Sequence, residues 1–407
     1  MAAINRFKAM GLRAIILLAV SAALLFAGNA KAENYVAAQG YMHSFDNGVD
    51  VYTAVFALNK DLSLQTSTYL KYNVDFINPA WGGSGEGGGG DGVGGGDAVT
   101  TGATHAASGA SSAVSSDGSK ATDTRHDFTA GVTHNFNNII GAEVYYDYSH
   151  EKDYVSHTPT VTLKKELNDK NTTLTAGYSR NMDTVHGKFM GAREKRNTNN
   201  YFFGVTQLIS PVTVAQVGYS RSNSSGVQSE GIRLIPTAGV AASTCTAESA
   251  TCLTEAFPGK RDRNAYLAGV NHYILGWGIL DRSAIKFNFR YYTDDWKIKS
   301  YTGETEWHKP VSERTVLRLN YRYYTQSKAY FQKDDYTAAD TLRSVSPQLK
   351  SFNSNLIGVK LTYALKDNLP SIVSFMKQGS VEGKYEFYHQ SLGVNAHVLM
   401  AGFRVPF

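Results

Sequence analysis

Beyond Ala32 this chain never again runs apolar for the roughly 20 residues that a membrane-crossing helix needs, yet it alternates apolar and polar residues over long stretches. That combination narrows the options sharply. Period-two alternation means strands with one apolar face. A span takes about 9–11 tilted residues, against about 5–6 for an ordinary globular strand. In Ala284 to Tyr292, residues Ile285, Phe287, Phe289 and Tyr291 oppose Lys286, Asn288 and Arg290. Thr315 to Tyr324 sets Leu317, Leu319, Tyr321 and Tyr323 against Arg318, Asn320 and Arg322. Ile357 to Leu365 and Ile140 to Tyr148 repeat the pattern. Several Lys and Arg per strand suit a wet lumen better than a dry sandwich core.

The two ends point the same way. Arg6, Lys8 and Arg13 precede an apolar run from Ala14 to Ala27, and Ala30-Lys31-Ala32 is an A-x-A cleavage site. Residues 1–32 read as a secretory signal peptide and residues 33–407 as the exported protein. The chain ends on Phe403, Val405 and Phe407 at alternate positions. This ending resembles the C-terminal signal by which barrel-assembly machinery recognises its clients. The expected fold is all-β: a transmembrane antiparallel up-and-down barrel, the only strand structure that pairs every backbone group inside a bilayer.

Connections of two kinds alternate. Short ones are expected at Asn59-Lys60-Asp61, Asn137-Asn138, Asn168-Asp169-Lys170, Ser210-Pro211, Gly276 to Asp281, His308 to Ser312 and Lys366 to Pro370. Between them fall Trp81 to Arg125, His150 to Ser156, Asn223 to Arg261, Thr293-Asp294-Asp295 and Gln326 to Ser351, with a first hairpin at Asp46-Asn47-Gly48. Seven inner turns and eight outer loops give about 16 strands with both termini in the periplasm, and 14 if Tyr35 to His43 is not a strand. Tyr148, Tyr178, Tyr219, Tyr291 and Tyr323 close the strands after short turns and read as one interfacial girdle. Aromatic residues make up 12% of the chain, 25 of them tyrosine, as such a girdle requires.

The outer loop at about 81–125 is rich in glycine from Gly82 to Asp97 and then in Ala, Ser, Thr and Gly. Its Asp spacing does not follow a calcium-binding repeat, and it reads as a surface loop. The loop at about 223–261 holds the two cysteines, Cys245 and Cys252, expected as a loop disulfide in an exported protein. A net charge of +5 is too small to argue for nucleic acid. No metal-spaced histidines and no nucleophile motif occur, so neither cofactor nor enzyme activity is expected. His150, Glu151, Asp153 and Ser156 at one outer loop, and Asp294 with Asp295 at another, are the candidates a rim-sited enzyme would need; turn chemistry and solvated charge are the expected explanation of both.

The most suggestive set is basic. Lys286 and Arg290, Lys297 and Lys299, Arg318 and Arg322, and Lys360 fall on four successive strands and are expected as one basic wall lining the pore. Glu143, Asp147, Glu382 and Glu386 are expected to face the same lumen. An open lumen would favour anions; a narrow one would pair these charges and close.

Several stretches carry a family resemblance: Tyr148-Ser149-His150-Glu151-Lys152-Asp153-Tyr154-Val155-Ser156, Lys170-Asn171-Thr172-Thr173-Leu174, Arg290-Tyr291-Tyr292-Thr293-Asp294-Asp295-Trp296-Lys297-Ile298 and Arg322-Tyr323-Tyr324-Thr325-Gln326. They resemble an uncharacterised family of Gram-negative outer-membrane β-barrel proteins, a domain of unknown function. The resemblance implies a single barrel and no established substrate or catalytic residue. The expected function is a porin-like channel for small polar or anionic solutes. The alternative is a structural barrel or sleeve for a partner, such as an exported electron-transfer protein, and a rim enzyme comes last. Expected associates are outer-membrane lipid and the barrel-assembly machinery, with a periplasmic or surface partner protein left open.

Overall fold

The computed structural model describes residues 34–46, 50–78, 123–137, 139–237, 245–246, 249, 251–365 and 376–407. The expected signal peptide, the Gly-rich stretch and the turn at Lys366 to Pro370 lie outside these residues. Eighteen strands follow one another along the described chain: β1 Tyr35–Phe45, β2 Asp50–Asp61, β3 Thr66–Asn78, β4 Asp123–Phe136, β5 Ile140–His150, β6 Tyr154–Leu167, β7 Thr172–Val185, β8 Glu194–Ser210, β9 Thr213–Gly226, β10 Leu234–Pro236, β11 Cys252–Thr254, β12 Lys260–Ile274, β13 Ser283–Asp294, β14 Lys299–Pro310, β15 Thr315–Gln326, β16 Phe352–Ala364, β17 Ser380–Gln390 and β18 Val394–Pro406. Sixteen of them form a closed antiparallel barrel, and β10 pairs with β11 apart from it. β1 bonds to both β2 and β18, which closes the ring and places both ends of the described chain at one end of it. No described helix is long and apolar enough to cross a membrane.

Turn chemistry sets the inner end. Asn137, and Asn168, Asp169 and Lys170 together, adopt positive φ in the tight connections, where Asn and Asp tolerate left-handed backbone best. Several expected boundaries shift: Thr293 and Asp294 finish β13, and the loop expected from Asn223 to Arg261 narrows to 227–259 between β9 and β12. Asn59 to Asp61 finish β2, with the turn at 62–65; His308 to Pro310 belong to β14, with the turn at 311–314; and Arg125 lies inside β4. In each case the ladder runs on through polar residues that alternation alone reads as turn.

Which face is concave is settled by contacts between strands that are not neighbours. Side chains two strands apart converge inside a barrel and diverge outside it. Gln39 Nε2 donates to Glu382 Oε1 at 2.8 Å from β1 to β17. Asn320 Nδ2 donates to Glu386 Oε1 at 3.1 Å from β15 to β17. Tyr69 meets Tyr145 edge-on at 6.3 Å from β3 to β5. All lie on the polar phase. Each crossing passes over a glycine of the middle strand: Gly402 lies between Gln39 and Glu382, Gly358 between Asn320 and Glu386, Gly131 between Tyr69 and Tyr145. A Cβ at those positions would come within 2.1–2.8 Å of the crossing side chains.

The convex face is apolar, with Val144, Leu163, Phe203, Val217, Phe287, Ile357 and Leu399 exposed on it. Above this band runs an aromatic belt. The expected Tyr148, Tyr178, Tyr219, Tyr291 and Tyr323 all face outward. Tyr219, Tyr266, Tyr291 and Tyr301 occupy one cross-strand row with centroids 5.2, 6.1 and 5.1 Å apart. A repeated clip decorates the belt: Tyr72 bonds His126 (2.8 Å), Tyr146 bonds His157 (2.7 Å), Tyr385 bonds His397 (2.9 Å), and Tyr178, Tyr219 and Tyr321 donate to Asn199, Asn264 and Asn355 (2.9, 2.7 and 2.7 Å). In each clip the partner sits one outward-facing position nearer the loop end than the residue opposite the tyrosine.

The long outer connections interlock into a cap that alternation could not reveal. Trp296, Ile298, Ala329, Phe331 and Leu349 form one buried cluster with Phe257 and the lumen-facing Tyr292 against it. Cys245 and Cys252 are bonded, Cα–Cα 5.5 Å, and pack with Leu234 and Phe189. Ala256 pairs with Arg343, and Ser344 Oγ donates to the buried Glu255 at 2.7 Å. Burial pushes the Glu255 carboxyl up from its ordinary value, against the pull of Arg233 at 3.8 Å. Asp340 goes the other way, to about 2, held by Lys333 and by the backbone N–H of Thr337. A raised carboxyl favours the folded cap at low pH and loses that contribution as pH climbs through the folded value. The cap should therefore resist protease better near pH 5 than near pH 8, and Glu255→Gln should flatten that dependence. A digest whose pH profile is the same in both proteins would remove Glu255 as the cause.

Candidate functional site: the barrel lumen

The expected lumen residues separate into two groups. Lys286 and Arg290 on β13, Arg318 and Arg322 on β15, and Lys360 on β16 lie on the concave phase, as do Glu143 and Asp147 on β5 and Glu382 and Glu386 on β17. Lys297 and Lys299 do not. Lys297 sits in the tight 295–298 connection with φ 65°, and Lys299 pairs with Thr293 on the convex phase, exposed. Trp296, Lys297 and Ile298 are turn, not strand, so the alternation of β14 starts later. It is phased by Tyr301 and Trp307 outward, which turns Glu304 and Glu306 into the lumen.

That phase changes the wall. The strand between basic β13 and basic β15 is acidic, and the charges interleave rather than accumulate. Glu306 lies opposite Lys286, their nearest atoms 3.4 Å apart, and also bonds His308 at 2.7 Å. Glu304 lies opposite Arg322. Lys360 pairs with Glu382 at 2.8 Å, Lys384 with Glu386 at 3.1 Å, and Lys164 with Glu143. At the outer mouth Arg125 meets Asp75 at 2.5 Å, Arg196 meets Asp183 at 2.8 Å, and Arg261 meets Asp294 at 2.6 Å. Arg261 also lies 4.2 Å over the Trp296 ring, tying the mouth to the cap.

Exposure decides which cations remain available to a solute. Lys384 is 1% exposed and Glu386 4%, so that pair is fixed structure. The Lys286 side chain is 42% exposed, and an ion pair that accessible is worth about 0–1 kcal/mol, so an arriving anion can compete for it. Arg290 is exposed, stacked 5.3 Å from the Tyr292 ring. Neither Arg290 nor Arg322 has a carboxylate within 4.0 Å among the described residues. The solvent-facing lumen is therefore β13 and its neighbours, while Leu356, Tyr388 and Ala396, with Phe45, pack the wall around β16 to β18 and β1.

The rim candidates do not assemble. His150 faces outward, whereas Ser156 faces the lumen and donates to Asp183 at 2.7 Å. Glu151 is buried, 3.9 Å from Arg125. Asp294 holds Arg261 and Asp295 is exposed. At the chain end Phe403 and Val405 lie on the convex phase of β18, and Phe407 N donates to Asn34 O at 3.1 Å.

The profile of a family described as "Protein of unknown function (DUF3570)" matches residues 7–189 and 187–391. No curated protein matches the chain. Among solved structures it is similar to a mutant ferric enterobactin receptor (PfeA) from Pseudomonas aeruginosa, with 11% identity over 89% of this chain and 54% of that one, TM-score 0.42. The chain thus spans about half the length of that receptor. It is also similar to a BenF-like porin from Pseudomonas fluorescens Pf-5 (7% identity, 93% of this chain and 100% of that one, TM-score 0.45) and to OpdK from Pseudomonas aeruginosa, solved with vanillate (8% identity, 92% and 98%, TM-score 0.43).

Proposed function

The chain belongs to this family of proteins of unknown function, DUF3570, and from that premise we propose that it is a non-enzymatic channel of the Gram-negative outer membrane, passing small polar solutes and favouring anions. A closed barrel with an apolar convex band, an aromatic belt and a polar lumen is the architecture that spans a bilayer with strands. The export segment at 1–32 and the terminal Phe403, Val405 and Phe407, offered to the assembly machinery, belong to the same reading. The observation that carries the anion preference is the pair Arg290 and Arg322. They are lumen cations without a carboxylate within 4.0 Å among the described residues, on a wall where Lys286, Lys360 and Lys384 each have one. A solute entering past the cap meets Arg290, Lys286 and Arg322 in one sector, and rings of Arg and Lys favour anions.

Single-channel recording of the refolded protein in a planar bilayer under a salt gradient tests this. The wild type should conduct with a reversal potential on the anion side. Arg290→Gln/Arg322→Gln should move that potential towards zero or across it, with conductance retained. An unchanged potential would sink the assignment of these two residues. A folded barrel that never conducts would favour the second reading, a structural barrel that holds a partner. The deep burial of Lys384, Glu386 and Arg318 and the interlocked cap speak for that reading.

A further inference from the structure

The convex face above the aromatic belt is not uniform. In the sector β7 to β14 it carries Arg180, Lys195, Arg221, Lys260 and Lys299, all exposed. On the other barrel strands the corresponding positions hold His, Asn, Ser, Thr, apolar residues or, on β2, Asp50, and no Lys or Arg among the described residues. The register makes the sector a two-tier surface. Tyr219, Tyr266, Tyr291 and Tyr301 form the lower row, and Arg221, Asn264, Thr293 and Lys299 form the row directly above it.

The charge on this surface is largely uncompensated. Arg221 has a distant partner in Asp262, 3.7 Å away with both side chains about half exposed; such a contact is worth about 0–1 kcal/mol at most. Arg180, Lys195, Lys260 and Lys299 have no carboxylate within 4.0 Å among the described residues. Tyrosine rings mark the depth at which a barrel meets the headgroup layer, so these cations stand at headgroup depth, beside lipid rather than in the pore. Arg221 and Lys299 are three strand spacings apart in one row, about 14 Å at roughly 4.8 Å per strand. That separation matches the two ends of a phosphorylated sugar headgroup, not a single small ion.

We propose that the outward wall of β9, β12, β13 and β14 is a binding site for a phosphate-bearing glycolipid of the outer leaflet, with Arg221 and Lys299 taking its phosphates and the Tyr219–Tyr266–Tyr291–Tyr301 row supporting its sugar and acyl boundary. The inference rests on the outer-membrane reading. It is independent of whether the lumen conducts. Asn264 and Thr293, between the two cations, supply amide and hydroxyl groups to the sugar.

The test uses the whole refolded barrel in a neutral detergent. Native mass spectrometry counts binding of a diphosphorylated disaccharide glycolipid and of its phosphate-free counterpart. The wild type should hold the phosphorylated lipid more tightly. Arg221→Gln/Lys299→Gln should lose on the order of fivefold affinity per cation removed, leaving the phosphate-free lipid unaffected. Lys152→Gln/Lys328→Gln, an equal loss of charge in exposed loops, should change nothing. Equal binding of the two lipids by the wild type, or an unaltered double variant, overturns the proposal. So does displacement by inorganic phosphate at the lipid's own concentration, which would make the site a reader of free phosphate. Cell fractionation judges the membrane assignment separately: a barrel found elsewhere that still discriminates the two lipids refutes the location and leaves the site standing.

Discussion

Lys384→Met is expected to destabilise the barrel by about 3–5 kcal/mol, the cost of breaking a buried ion pair from one side. The Lys384 and Glu386 side chains are 1% and 4% exposed and 3.1 Å apart. Glu386 keeps a single further donor, Asn320 Nδ2 at 3.1 Å, and Lys360, the lumen cation opposite Lys384, is already paired with Glu382. Removing the ammonium therefore leaves a carboxylate in a packed wall with one neutral hydrogen bond. Lys384→Met/Glu386→Leu removes both charges and should recover most of the loss, because apolar packing of similar volume commonly equals or exceeds a buried pair. Urea unfolding of the barrel in lipid vesicles, followed by tryptophan fluorescence, reads both proteins. A single variant within about 1 kcal/mol of wild type would show that water reaches the pair and that the wall around β17 is open.

The contrast between this pair and Arg290 shows what was legible in the sequence and what was not. Alternation is local, so the phase of β13, β15 and β16 could be read from Phe287, Leu319 and Val359, and the lumen placement of Lys286, Arg318 and Lys360 followed. Sixteen strands with both ends on one side followed from the alternation of short and long connections. Whether a lumen charge is matched is not local: it depends on the register of the next strand. Lys297 and Lys299 suggested a continuous basic wall because Trp296 to Ile298 have strand-like composition. The true phase was available in Tyr301 and Trp307, whose outward placement turns Glu304 and Glu306 inward. The cap was wholly illegible, since Glu255 and Ser344, or Trp296 and Phe331, meet across loops whose composition carries no period. The outward basic surface is hidden for the same reason, because strand alternation continued through Trp296 to Ile298 places Lys299 in the lumen.

The glycines under the crossing side chains give the second large effect. Gly131→Val should destabilise the barrel by about 1–3 kcal/mol or more, the range for overpacking a filled interior. Gly131 lies between Tyr69 and Tyr145 in one row, and a Cβ there would stand 2.1 Å from Tyr145 Cδ1 and 2.5 Å from Cε1. Those atoms belong to a ring that is itself buried and edge-on to Tyr69, so it cannot swing aside without giving up both contacts. Backbone φ is ordinary at Gly131, which isolates the missing Cβ as the requirement. Tyr145→Ala should therefore be less harmful in the Gly131→Val background than in the wild type, with a coupling energy of the same order as the single loss. The measurement is the urea midpoint of the four proteins of the cycle, with the mobility difference between heated and unheated barrel on a gel as a check of closure. Strictly additive changes would mean that Tyr145 does not rest on Gly131, and that the second-neighbour contacts across the lumen do not depend on the glycines beneath them.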